Sequence, residues 1–593
     1  MKLPAMNVIA NQRMLTEVFQ GLDTRPRAGA GAFGDMENMQ SEPQPLIATR
    51  KRRGWIRHLT SPHVMMAAGK IAYIDGDTLY WNEKATPITG LSEAPDMLPK
   101  QIIAMGAYLI VWPDGKYYNT VDPADFGSIN RLYQSGVSEI RYDLTDMNGV
   151  AYDENKITVG NTAPPDPKNN DYWIDTNENT HQLKQWKENY GMWMGIGSVY
   201  VKITAPGIGK DLNIQDSVKL SGIRYDGYEE TIKEQFNILN TDMIIQARAD
   251  DYIVVTGIID KSYIQTGSEI RADREAPKMD FVIECNNRLW GCYHGVSRDQ
   301  TLNEIYASAL GDFKNWRKYV ATSQASYSVS MGTEGDFTAA ISFQGRPYFF
   351  KENAVHKIYG EMPKNYQLQT TICDGVRKGC ENSLIAVNGT LYYLSINGVV
   401  AFETLPMDVS PQLPQTRFDE AAAGEMDGKY YISMRDADGE WQIYVLNTAI
   451  GVWHKEDRKR ITHFARIVDE LYMLEDTGDI WAVNGTRGEI EEKLPYSLTS
   501  AMIGYEYPDR KYLSRYNIRM KLGKFATCDL WVEYDSSGIW EKRGHMEGHG
   551  KVLTYMIPVI PRRCDHMRIK LTGEGEMQLY SIARLLGMGG DGK

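Results

Sequence analysis

Long apolar runs are missing from this 593-residue chain. No window approaches the roughly 18 consecutive apolar residues of a membrane-crossing helix, so no helical span is expected. The opening Met1 to Asn7 has no apolar stretch of the secretory kind, and no signal peptide is expected. Cysteine is scarce: Cys285, Cys292, Cys373, Cys380, Cys528 and Cys564 are the whole set. None stands in a C-x-x-C pair with a second pair at zinc-finger spacing. Cys285/Cys292 and Cys373/Cys380 are each seven apart and would close small loops, but an intracellular origin disfavours that, so buried free thiols are expected. Positive charge is also short, with 65 basic against 77 acidic residues and a net charge of −12. A nucleic-acid groove needs a basic surface, so that class is disfavoured. An acidic wall past which DNA slides without sticking is not.

Catalytic signatures are missing as well. There is no G-x-S-x-G elbow, no S-x-x-K in a convincing context and no Walker A pattern. G-x-G-x-x-G spacing occurs at Gly29/Gly31/Gly34 and Gly587/Gly589/Gly592. Neither lies between a strand and a helix, so neither is read as dinucleotide-binding. His545 and His549 stand four apart, but Gly544, Gly548 and Gly550 oppose the helix that would aim both at one ion. A solvated hairpin loop is expected there. No catalytic, cofactor-binding or metal-ligating residue is assigned, and no cofactor is expected.

What is present is turn chemistry and aromatics: 53 Gly, 36 Tyr and 13 Trp, with 42% hydrophobic and 24% charged residues. That composition folds, and it favours strands and tight turns. Between Cys380 and Asn484, alternating runs meet at Asn388-Gly389, Asn397-Gly398, Asp427-Gly428, Asp469-Glu470 and Thr477-Gly478-Asp479. Such pairs supply the positive φ of a tight hairpin. The same figure recurs at Asp75-Gly-Asp77 and Pro113-Asp-Gly115, and again from Met279 onwards. Hairpins at a blade-like spacing of about 40 to 50 residues predict a β-propeller. The expected fold is all-β: six or seven blades, an inserted β-rich domain and a C-terminal β-sandwich or jelly roll. The expected segments are an extended, irregular arm over 1–60, first blades over 61–153, the insert over 154–276, the remaining blades over 277–490, the sandwich over 491–587 and a glycine-rich tail over 588–593. Within the arm, Arg50-Lys-Arg-Arg53 is read as a solvated basic patch or a donor of interchain ion pairs.

Two stretches touch on saccharides. Ala307 to Trp316 superficially resembles the Asp-box hairpin of sialidase-like propellers, and is read as blade structure with Trp316 packed between sheets. Asp171-Tyr-Trp-Ile-Asp175 with Trp186 and Trp193 is the best candidate for a sugar-stacking surface.

Asp35-Met-Glu-Asn-Met39, Leu46 to Arg53, Ile305 to Trp316, Cys373 to Cys380 and Arg562 to Gly575 together resemble tail proteins of bacteriophages. The likeness is to the propeller-containing hub or nozzle proteins of short-tailed phages, some called stabilisation proteins. It implies a structural virion protein rather than an enzyme, made in the host bacterial cytoplasm and placed in the tail. It implies a homo-oligomeric ring, six copies being expected, below the portal and adaptor. The implied partners are the head–tail connector and tail fibre or spike proteins. DNA would cross the lumen during ejection without specific binding. An acidic lumen repels phosphate over about 8–10 Å, and a propeller makes a stiff wedge, both in keeping with that role. The alternative is a propeller glycosidase, or a glycan-binding protein that recognises the receptor.

Overall fold

Most predicted turns close where expected, while those read at Asn397-Gly398 and Asp469-Glu470 sit one residue earlier, at Ile396-Asn397 and Val468-Asp469. Asn388 and Gly389 take φ of 49° and 83°, and Asp427 and Gly428 take 53° and 71°, joining adjacent antiparallel strands. A computed structural model describes residues 12–92, 99–177, 181–297, 300–320, 322–504 and 510–588. Nearly all the regular structure is strand; among the described residues the one α-helix is Glu230–Ile238.

Six four-stranded antiparallel sheets follow one another along the chain, each built from consecutive strands in up-and-down order. They begin at Pro62, Gln101, Phe281, Phe337, Ile385 and Glu420. A seventh joins Ile461–Ile467, Glu470–Glu475 and Asp479–Ala482 to the early strand Gly54–His58, with Glu489–Ile490 beside it. These are propeller blades, and the fold is an all-β propeller with an inserted β-rich module and a C-terminal sandwich.

The chain divides into two compact units, residues 1–102, 333–357 and 369–593, and residues 103–332 and 358–368. In the first unit, neighbouring blades pack through strands such as Glu420–Met426 against Ile461–Ile467, and Ile461–Ile467 against Pro62–Ala68. The sandwich belongs to the same unit. One of its sheets runs Met39–Gln40, Ile47–Thr49, Met577–Met588, Lys511–Leu522, Val552–Pro558, with Gln12–Thr16 also on Met577–Met588. The other runs Gly21–Leu22, Ala32–Glu37, Pro495–Ser500, Met567–Glu574, Thr527–Tyr534, Glu541–Glu547. Tyr516, Ile518 and Met520 of the first sheet share one core with Leu498, Leu530 and Leu571 of the second.

Two expectations are corrected here. The irregular arm expected over residues 1–60 instead carries six short strands from Gln12 onwards, which complete both sandwich sheets and the last blade. The basic run is not a solvated patch throughout. Arg53 is fully buried, with Nη2 2.5 Å from Glu456 and Nη1 2.5 Å from Asp457, and Arg50 Nη1 lies 2.7 Å from Glu491. Burying an unpaired guanidinium is costly, and three carboxylates converge on this pair.

The second unit holds the blades from Gln101 and Phe281 and the inserted module. Trp316 packs with Ile103, Ile110, Trp112, Met279 and Leu289, between the two blades. The insert is entered and left through a bridge between Arg131 and Arg274. Its core collects Ile140, Tyr142, Val201, Ile203, Val218, Phe236 and Ile253. Buried Arg274 pairs with Asp216 at 2.6 Å, and Asp216 also accepts from Asn315 beside the Asp-box-like turn.

Candidate functional site

One face of a small sheet in the insert gathers three tryptophans. Its strands are Ile157–Gly160, Tyr172–Asp175, Gln182–Lys187 and Met192–Gly195, the first pair parallel and the others antiparallel. Side chains alternate across a strand, and residues directly opposite share a face. Ile174 and Leu183, opposite each other, point into the insert's core, and Tyr172 packs there too. The intervening positions therefore face the other way: Trp173 opposite Lys184, and Trp186 opposite Trp193.

The three indoles touch edge to face. Trp186 and Trp193 have ring centroids 5.5 Å apart at 63°, and Trp173 and Trp193 5.7 Å apart at 66°. Trp173 is buried and its indole N–H donates to the Gly160 carbonyl at 2.8 Å. Trp186 and Trp193 are half-exposed, and neither indole N–H has a hydrogen-bond partner among the described residues. The Lys184 ammonium stands 4.9 Å from the Trp173 ring and 2.7 Å from Asp175. That hydrogen bond, with one from the Asn177 backbone, holds Asp175 below the usual carboxylate range. Asn177 Nδ2 also donates to Asp175 at 2.8 Å, and Gln182 is exposed on the same face. The result is a stepped apolar shelf with unspent donors, edged by an ammonium, a carboxylate and two amides. Apolar ring faces beside polar groups are what a saccharide presents in return: a C–H face and a rim of hydroxyls.

Of the residues named from sequence, Trp173, Trp186 and Trp193 come together, whereas Tyr172 turns to the core. Lys184, Gln182 and Asn177 escaped sequence reading. The signal for the first two was the two-residue step back from Trp186 along its strand. Elsewhere, His545 sits in the strand Glu541–Glu547 with Nδ1 2.5 Å from Asp529. Among the described residues no group of three or more His, Cys, Asp or Glu is placed to hold a metal ion. Gly29 and Gly31 precede a strand, not a helix; Gly589 and Gly592, with the rest of the expected tail after Met588, lie outside the described residues. All six cysteines are free, and burial pushes the Cys380 thiol up to about 12.

No protein-family model matches the sequence, and no curated protein does. Among solved structures, the chain is similar to an exo-β-1,3-galactanase from Phanerochaete chrysosporium crystallised with β-1,3-galactotriose. The identity is 9% and the TM-score 0.20, covering 51% of this chain and 94% of that one. It is similar to PorZ, a surface component of the type-IX secretion system of Porphyromonas gingivalis, at 11% identity and TM-score 0.25, covering 92% and 81%. A GH43 glycoside hydrolase with endo-xylanase and exo-arabinofuranosidase activity follows at 9% and 0.19, covering 52% and 97%. The sequence reading that the chain is not an enzyme is corrected on this finding, since glycoside hydrolases stand among the structures it is similar to. TM-scores of 0.19 to 0.25 assign no reaction and no residue to it.

Proposed function

We propose that the chain binds glycan, holding a saccharide on the tryptophan face of its inserted module. The observation that carries this reading is the Trp186–Trp193 pair: two half-exposed indoles in edge-to-face contact, each with an N–H that has no partner among the described residues. A purely structural pair would bury its rings and spend those donors, as Trp173 does. Titration of the full chain with neutral oligosaccharides, followed by tryptophan fluorescence, tests the reading. A saturable change that disappears in Trp186→Ala and Trp193→Ala supports it; the same titration in both variants and the parent refutes it.

The setting we propose is a phage tail, where such a surface would meet the host's envelope sugars. The support is the resemblance carried by the stretches around Asp35, Ile305, Cys373 and Arg562. Negative-stain imaging of the purified chain, alone and with a portal–adaptor complex, tests it. A ring of copies is the expected image, and a persistent lone subunit in both samples opposes it.

A further inference from the structure

The outer face of the sandwich sheet that carries Lys511–Leu522 is basic in an acidic protein. Along that strand Tyr516, Ile518 and Met520 are fully buried, so Arg515, Arg519 and Lys521 point outwards, all exposed. Alternate strand positions stand about 6.8 Å apart, so the row from Arg515 to Lys521 spans about 20 Å. Two strands over, Arg13 extends it. Arg13 is opposite Leu585, and Leu585 is opposite Arg515, which sets the two arginines about 10 Å apart on the same face.

These cations are unspent. Arg519 donates only to the Thr554 hydroxyl, at 3.3 Å. None of the four has a carboxylate partner among the described residues, and no Asp or Glu occupies an outward position on the strands of this sheet. Elsewhere the protein pairs its cations freely, as with Arg53, Arg274 and Arg435. Repulsion within an unpaired row costs stability unless an anion relieves it.

We infer that this face binds an acidic polysaccharide, a linear sugar chain with carboxylate or sulfate groups repeating along it. Arg519 and Lys521 stand about 7 Å apart and Arg515 about 14 Å from Arg519, with Asn517 between, so the charges follow one line along the strand, as an extended polyanion requires. A nucleic acid fits less well. Among the described residues the face carries no run of exposed aromatic rings for unpaired bases to stack on. The surface belongs to the sandwich and stands independently of the tryptophan face.

The test measures binding of the full chain to polygalacturonate, neutral dextran and oligo(dT) at 50 and 200 mM NaCl. Expected are binding to polygalacturonate that weakens about 20- to 40-fold between the two salts, the loss that counterion release gives for three contacts, and no such salt dependence in any binding to dextran. Arg515→Ala/Arg519→Ala/Lys521→Ala should lose tenfold or more of the salt-dependent binding. Melting curves check that each variant folds. Arg519→Gln, a single exposed change, should lose two- to threefold and serves if the triple variant does not fold. Absence of polygalacturonate binding at 50 mM NaCl, unchanged affinity in the folded basic-row variants, or tighter binding of oligo(dT) would each overturn the inference.

Discussion

Arg53 shows how much of this fold can hang on one side chain. Its guanidinium answers Glu456 and Asp457, and its backbone N–H donates to Glu491, so the first blade-closing strand, the link between the last two blades and the segment after the last blade meet at one residue. Burial alone would raise Asp457, but Arg53 and Arg50 prevail and hold it below the usual carboxylate range. Arg53→Ala strands these carboxylates and should cost about 3–5 kcal/mol, read as a shift in the urea midpoint. A carboxyl depressed in the folded state stabilises above its unfolded pKa of about 4, and that contribution fades as pH falls through the lower folded value. His454 acts in a higher window. Burial, aided by Lys429, pushes it down to about 3 against an ordinary value of about 6.5. Below pH 6.5 the unfolded chain takes up a proton that the fold refuses. Stability should then fall by up to about 1.4 kcal/mol per pH unit for this group. Urea titrations at pH 7, 6 and 5 should show a shallower decline for His454→Leu than for the parent. For the tryptophan shelf, Trp186→Ala should weaken saccharide binding about tenfold, the scale of one lost aromatic contact, while leaving the melting temperature nearly unchanged.

At the level of elements, legibility followed distance along the chain. The blades could be read because each turn carries its own chemistry: an Asn-Gly or Asp-Gly pair between alternating runs needs no knowledge of anything remote. The early strands could not. Leu15 lies opposite Ala583 and Trp55 opposite Trp481, and segments as short as Gly21–Leu22 have no period to detect. Gln12–Thr16 and Gly54–His58 owe their strand character to partners hundreds of residues away, and Gly21–Leu22 joins its sheet only through Ala32–Glu37. The shelf was half legible for a related reason. Tryptophans announce themselves, but Lys184 joins them only once the core has decided which face is out. The strand Gly54–His58 carries its own prediction. A Cβ on Gly54 would lie 1.8 Å from the Arg487 carbonyl oxygen, so the segment after the last blade must move to admit one. Gly54→Ala should lower the melting temperature by several degrees, whereas Gly439→Ala, at a turn with open space but positive φ, should cost less.

For the molecule as a whole, the insert has its own core and leaves its host through the paired Arg131 and Arg274. Excising residues 132–273 and joining the ends with a short Gly-Ser linker should leave a soluble protein that has lost saccharide binding but keeps affinity for polygalacturonate. Loss of both together would tie the two surfaces to one site. Deleting residues 1–60 is expected to do the opposite kind of damage, since both sandwich sheets and the last blade lose strands at once. Limited proteolysis of that deletion should cut the sandwich and last blade before the inserted module.

The strand Met577–Met588 lies inside its sheet, between Lys511–Leu522 on one side and Gln12–Thr16 with Ile47–Thr49 on the other. A growing polypeptide therefore carries Gln12–Thr16 without its partner until Met577–Met588 has been made. The blades can form while synthesis proceeds, yet the sandwich waits for that late strand. A premature stop at residue 576 would release a product whose opening strands have no seat, and the cell would be expected to clear it rather than accumulate it.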